Sequence, residues 1–117
     1  MRPVTFALAA ILAAAPAHAE TYPEKPIHIV VPFSPGSATD VTTRAIAQTL
    51  SEKLGQPVII DNRPGAGGSI GAAQVAHAAP DGYTLLVHSS GHTVNPSIFA
   101  HLGYDTQRDL AGISMLA

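Results

Sequence analysis

Residues Ile27 to Thr42, IHIVVPFSPGSATDVT, run from an apolar stretch through a turn rich in proline and glycine into the opening of a helix. Ile27 to Val31 reads as a buried strand, Pro32 to Ala38 as the loop leaving its C-terminal end, and Thr39 onward as a helix. A strand that feeds a helix in this way starts a crossover to a parallel neighbour, which constrains the chain to an α/β sheet. At the C-terminal edge of such a sheet, ligands usually bind, and the free N–H groups of the next helix point towards an anion. This loop is the candidate binding site.

The rest of the chain continues the pattern. Thr21 to Pro26 is an extended lead-in, because Pro23 and Pro26 fix φ and disfavour helix just before them. In the helix that ends near Leu54, Val41, Ala45, Ile46, Leu50 and Leu54 follow helical spacing and predict the apolar face. Arg44, Gln48, Ser51 and Glu52 fall largely on the other side, and Gly55 with Pro57 stops the helix. Val58 to Ile60 is a second strand, β-branched and suited to cover on both faces. Asp61 to Gly71, DNRPGAGGSIG, is a loop that needs glycine's conformational freedom. A short Ala-rich helix from Ile70 to Ala78, a Pro80-Asp81-Gly82 turn and a third strand from Thr84 to His88 follow. That strand leaves through Ser89 to Val94. Asn95-Pro96 reads as an N-cap with proline at the first helical position of a helix to about Leu102. Gly112 onward reads as a new strand broken off, the mark of a fragment. The fold class is therefore α/β, a parallel sheet with flanking helices.

The N-terminus has a different purpose. One basic residue, the apolar run Val4 to Ala15 and the small-residue site Ala17-His18-Ala19 make a secretory signal peptide, with cleavage expected after Ala19. The run is too short to span a bilayer comfortably, so no direct membrane insertion is expected once it is removed. Losing residues 1–19 takes away Arg2 and no acidic residue, moving the formal charge from −2 to −3. So mild and scattered a charge gives no nucleic-acid footprint. The chain has no cysteine, which excludes disulfides, thiolate nucleophiles and thiolate-held metals together.

Three chemical motifs fail on inspection. A dinucleotide fingerprint begun at Gly65 requires glycine at position 70, which is Ile70, and the third strand ends in His88 rather than an acidic residue. The glycines read instead as a tight structural loop, and no cofactor is expected. His88 and His92 lie on a strand end and its loop without a third ligand, so no metal is expected. Ser89-Ser90-Gly91-His92 lacks the elbow that exposes a serine nucleophile. His28 reads as a packed mid-strand residue, His77 and His101 as residues near helix ends, and Arg63 as a solvated or structural arginine.

Four landmarks coincide: PFSPGSATD at 32–40, NRPGAGGSIG at 62–71, DGYTLL at 81–86, and Asn95-Pro96 followed by Tyr104-Asp105. With the exported N-terminus, the chain resembles the periplasmic substrate-binding proteins of tripartite tricarboxylate transport, the Bug or TctC-like family. The resemblance implies a type II periplasmic-binding-protein-like fold in which residues 20–117 form one partial lobe of a two-lobed structure. It also implies a non-enzymatic, monomeric periplasmic protein that captures a small carboxylate, of the di-/tricarboxylate or amino acid type, for membrane permease subunits of a tripartite transporter. By the same resemblance, Phe33, Ser34, Gly36, Ser37 and Asp40 line the cleft, joined by Ser89, Ser90, Gly91 and Asn95 from the loop after the third strand. This chain carries Gly36-Ser37 where members often carry Gly-Gly, a departure that bears on which ligand is held. Asp40 is open to two readings: it takes the amino or hydroxyl group of a ligand, or it favours its helix from the first turn. The alternative functions are an exported α/β hydrolase using Ser89 or Ser90 with a histidine, and a non-functional truncated remnant of the binding protein.

Overall fold

The computed structural model describes residues 21–116; the export segment read at residues 1–19 and its cleavage site lie outside them. Strand β1 (Ile27–Val31) leads to helix α1 (Ala38–Leu54), which returns the chain to β2 (Val58–Asn62). A single 3₁₀ turn (Ala66–Gly68) opens α2 (Ser69–Ala76), and β3 (Thr84–Leu86) is followed by α3 (Gly91–Ile98). The three strands form one parallel sheet in the order β2-β1-β3. The first crossover runs one way across the sheet and the second runs back past β1, so two right-handed connections put α1 and α2 on opposite faces. Among the described residues, no helix is long and apolar enough to cross a membrane.

The central position of β1 explains its composition. Ile27, Ile29, Val30 and Val31 are all buried, an unalternated run that suits a strand covered on both faces. Each such side chain contributes about 1.5–3 kcal/mol by leaving water. β2 pairs with β1 from Ile27↔Val58 to Val31↔Asn62, two residues beyond the strand expected from the sequence. Ile59 is 39% exposed, so β2 is a half-covered edge and not the doubly covered strand its β-branched residues suggest. β3 ends at Leu86 rather than His88, although the Val87 N–H still donates to Val30 O at 3.1 Å. His28 is half-buried rather than packed, and its ring Nδ1 lies 2.8 Å from Asp61 Oδ2 on β2.

The buried face of α1 differs from the apolar stripe. Asp40, Thr43 and Ala47 are buried, whereas Val41 is 59% exposed. Small side chains take the contact with the sheet, and the Thr43 hydroxyl, donating to Thr39 O at 2.7 Å, carries no unmet polar group inside. α3 starts four residues before the expected cap and ends at Ile98, not Leu102. Asn95 cannot cap it because its side chain is drawn inward, and Pro96 sits within the helix. Residues 111–116 are exposed and form no strand, against the expectation at Gly112.

The turn at residues 81–83 fastens the lead-in. Tyr22 Oη donates to Gly82 O at 2.7 Å, the Glu24 N–H donates to Tyr83 Oη at 2.9 Å, and Lys25 Nζ lies 4.4 Å from the Tyr83 ring centre. Asp81 accepts the Tyr83 N–H at 3.1 Å and Lys25 at 3.3 Å. Thus the DGYTLL landmark marks the point where the chain entering β1 is held.

At the other end of β1, buried Pro32 rests on Gly71 of α2. A Cβ built at Gly71 would stand 2.8 Å from Pro32 Cβ and 3.1 Å from Arg63 O, both on rigid parts of the chain. Gly71→Ala should therefore destabilise the fold by about 1–3 kcal/mol through overpacking, despite alanine's better helix propensity. Denaturant unfolding checks this; an unchanged or raised midpoint would show that α2 can move away from β1 freely.

Candidate functional site

Because β1 and β3 are parallel neighbours, the loops after them and the starts of α1 and α3 lie at one edge of the sheet. The Ser37 hydroxyl caps α1 by accepting the Asp40 N–H at 3.3 Å. The Ser37 N–H donates to Ser34 O, and the Val41 N–H to Ser37 O. Among the described residues, the N–H groups of Ala38 and Thr39 find no acceptor. They lie at the positive end of a 17-residue helix, beside exposed Ser34, Pro35 and Gly36.

Asp40 does not face this opening. Its side chain is 2% exposed, and Oδ2 accepts both the Gly36 N–H and Arg44 Nε at 2.9 Å. Oδ1 accepts Asn62 Nδ2, also at 2.9 Å. The Asn62 amide further donates to Phe33 O at 3.1 Å, and its oxygen accepts from Arg44 Nη2 at 3.1 Å. The reading of Asp40 as a partner for a ligand amine or hydroxyl is thereby corrected: its oxygens are already engaged inside the fold. Gly36 is corrected in part, since its N–H serves Asp40 and only its exposed backbone borders the opening. Arg44 first, then the Gly36 N–H and the Asn62 amide, hold the Asp40 carboxyl far below the usual carboxylate range.

Sequence reasoning misses Arg44 and Asn62 as site residues. Arg44 follows Asp40 by one helical turn, a spacing at which oppositely charged side chains meet. The glycine-rich pattern places Asn62 in a loop, and only the register Val31↔Asn62 brings it beside the start of the binding loop.

On the β3 side, Ser89 and Ser90 are exposed at the edge and Gly91 is half-buried. Asn95 is corrected: it is 4% exposed and its amide donates to Gly67 O at 3.0 Å, so it braces the glycine loop from beneath. Half-buried Phe33 meets the edge of the His88 ring at 5.2 Å, His88 lies 5.0 Å from His92, and His92 stacks with Tyr104 at 6.2 Å. These rings bridge the two loops. Burial pushes both imidazoles below their ordinary pKa, which favours neutral rings at pH 7. His88 Nδ1 lies 3.0 Å from Ser89 O, and Nε2 is buried against Gly68. Gly68 has φ +87°, and any side chain there would collide with the His88 ring. The glycine loop is thus a packed cradle for His88 and Asn95.

The profile of the tripartite tricarboxylate transporter family receptor matches residues 42–117. The chain belongs to this family. BugT of Bordetella pertussis is 49% identical over 105 residues, which make up 88% of this chain and 32% of BugT. The periplasmic binding protein BugD superposes with a TM-score of 0.72 at 42% identity, over 75% of this chain and 29% of BugD. MatC from Rhodopseudomonas palustris, solved with bound malate, gives a TM-score of 0.70 at 42% identity, over 75% of this chain and 30% of MatC. The chain spans about a third of the length of these relatives. Its fold is part of a lobe of the periplasmic binding proteins it matches.

The Asp40 cluster carries a pH dependence. A carboxyl whose folded pKa is depressed adds stability above its ordinary value of 3.8, and that stability is lost as pH falls towards the folded value. Asp40→Asn should lower the melting temperature at pH 7, and the gap from the parent should narrow as pH drops from about 4 towards about 2. Melting curves at neutral pH and below the ordinary carboxylate range check the sign. A gap that widens on acidification would contradict the paired carboxylate.

Proposed function

We propose that this chain is part of the ligand-capturing first lobe of an exported solute-binding protein that holds a small carboxylate for a tripartite tricarboxylate transport system. The carrying observation is the pair of unpaired N–H groups on Ala38 and Thr39 at the C-terminal edge of the parallel sheet. A carboxylate oxygen meets there two backbone donors and a helix dipole, with the exposed Ser34 hydroxyl beside them. Ser89 and Ser90 supply hydroxyls from the neighbouring loop. The malate in MatC favours a dicarboxylate or hydroxydicarboxylate as the ligand class here. Binding involves no covalent step.

In this reading residues 1–19 are a signal peptide cleaved after Ala19, and residues 20–117 belong to the first of two lobes. The mature protein works in the periplasm, and its partners are the permease subunits. BugD, described as periplasmic, supports that location. Closure of a second lobe over the ligand would exclude water from the donors.

A thermal-shift panel of mono-, di- and tricarboxylates on the full-length protein tests the ligand class. Dicarboxylates at about 100 times their Kd should stabilise it by roughly 2.7 kcal/mol, because they bind only the folded state. No shift with any carboxylate would overturn the reading. A second prediction isolates the donors. Ala38 is the first residue of α1, and Ser37 has φ −65° and ψ 160°, a backbone compatible with a following proline. Ala38→Pro therefore deletes one N–H at a position that tolerates proline. Titration calorimetry should show dicarboxylate affinity reduced by about 10- to 100-fold, as for one charge-assisted hydrogen bond, at unchanged melting temperature. Unchanged affinity would place the carboxylate elsewhere.

A further inference from the structure

A buried carboxylate in the first turn of α1 is a poor neighbour for an anion. Asp40 lies two residues beyond Ala38, so its charge sits within a helical turn, ~5 Å, of the unpaired donors. That distance is inside the screening length of ~8–10 Å, and burial weakens screening further. Left alone, such a charge would repel the ligand that the helix start attracts.

Arg44 answers this problem. Its Nε lies 2.9 Å from Asp40 Oδ2 and its Nη2 donates to Asn62 Oδ1 at 3.1 Å, while its side chain remains 52% exposed. One guanidinium therefore meets the carboxylate and also orients the amide that donates to Phe33 O. Phe33 and Gly36 in the loop after β1, and Asp40 in the first turn of α1, are all held by this set. No other cation is paired with Asp40 among the described residues. Resting on the carboxylate-binding reading above, we infer that Arg44 is a positioning residue: it cancels the charge of Asp40 and leaves the start of α1 open to a ligand anion.

The role has a signature that a purely structural one lacks. Arg44→Gln exposes the ligand to the uncompensated Asp40 charge, whereas Asp40→Asn with Arg44→Gln removes both charges at once. In the double variant the amide oxygen introduced at position 40 can still accept the Gly36 N–H. Arg44→Lys keeps the charge and gives up the planar fork that reaches Asn62.

The test is calorimetric titration of the full-length protein and these three variants with malate and succinate, with melting curves alongside. Arg44→Gln should weaken both ligands by about 10- to 100-fold, with Arg44→Lys falling between it and the parent. The double variant should recover most of the lost affinity even though it melts no higher than Arg44→Gln. Two outcomes overturn the role: Arg44→Gln binding like the parent, or the double variant binding as weakly as Arg44→Gln or worse. The parent protein separates this failure from that of the function itself. If it binds neither these two dicarboxylates nor any other carboxylate, both readings fall together.

Discussion

The hydrogen bonds that converge on the Asp40 carboxylate hold the candidate site together. A carboxylate with 2% of its side chain exposed is tolerable only when its oxygens are matched, and here a backbone N–H, an amide and a guanidinium match them. Each partner comes from a different part of the fold. Gly36 belongs to the loop after β1, Arg44 to the second turn of α1, and Asn62 to the end of β2. The carboxylate therefore ties loop, helix and edge strand at one point, and the β1–β2 register fixes where that point lies. Pre-organised donors of this kind lose little freedom when a ligand arrives, which favours binding without additional contacts.

The opposite side of the edge is held by packing rather than charge. Gly67 and Gly68 leave room for Asn95, Phe99 and the His88 ring, and a Cβ at Gly68 would collide with that ring. The Asn95 bond to Gly67 O joins the loop after β2 to α3, and the Phe33–His88 contact joins the loop after β1 to the end of β3. Two networks thus meet at Phe33: its carbonyl is held by Asn62, and its ring rests on His88. Movement of the binding loop would disturb both.

Much of this was legible in the sequence, and the limits have physical causes. The β1 run, the Gly55 stop of α1 and the 80–82 turn are local signals, set by side-chain branching and by the backbone freedom of proline and glycine. They fall where the sequence places them. Asn95-Pro96 misled because asparagine before proline is a good helix cap in isolation, whereas here the Asn95 side chain is drawn inward to donate to the Gly67 carbonyl. Val41 misled for a related reason. Helical spacing locates an apolar stripe, but close packing selected the smaller Asp40, Thr43 and Ala47 for the sheet. Asn62 was invisible as a site residue because its role depends on a register between strands 31 positions apart.

Asp40 and Gly36 are prominent in the sequence because the fold needs them, and their polar groups point inward. In the proposed site, the groups offered to the ligand are backbone N–H donors at Ala38 and Thr39, whose side chains carry no charge. This separates the residues that hold the site from those that border the ligand. It also reconciles an anion site with a chain of formal charge −2: local N–H dipoles at a helix start attract a carboxylate over a few ångströms, where net surface charge contributes little. In the proposed site a change of ligand falls to Ser34, Ser89 or Ser90, whose side chains make no hydrogen bond with Asp40 among the described residues. High identity to a relative in this stretch therefore reports a shared scaffold more directly than a shared ligand.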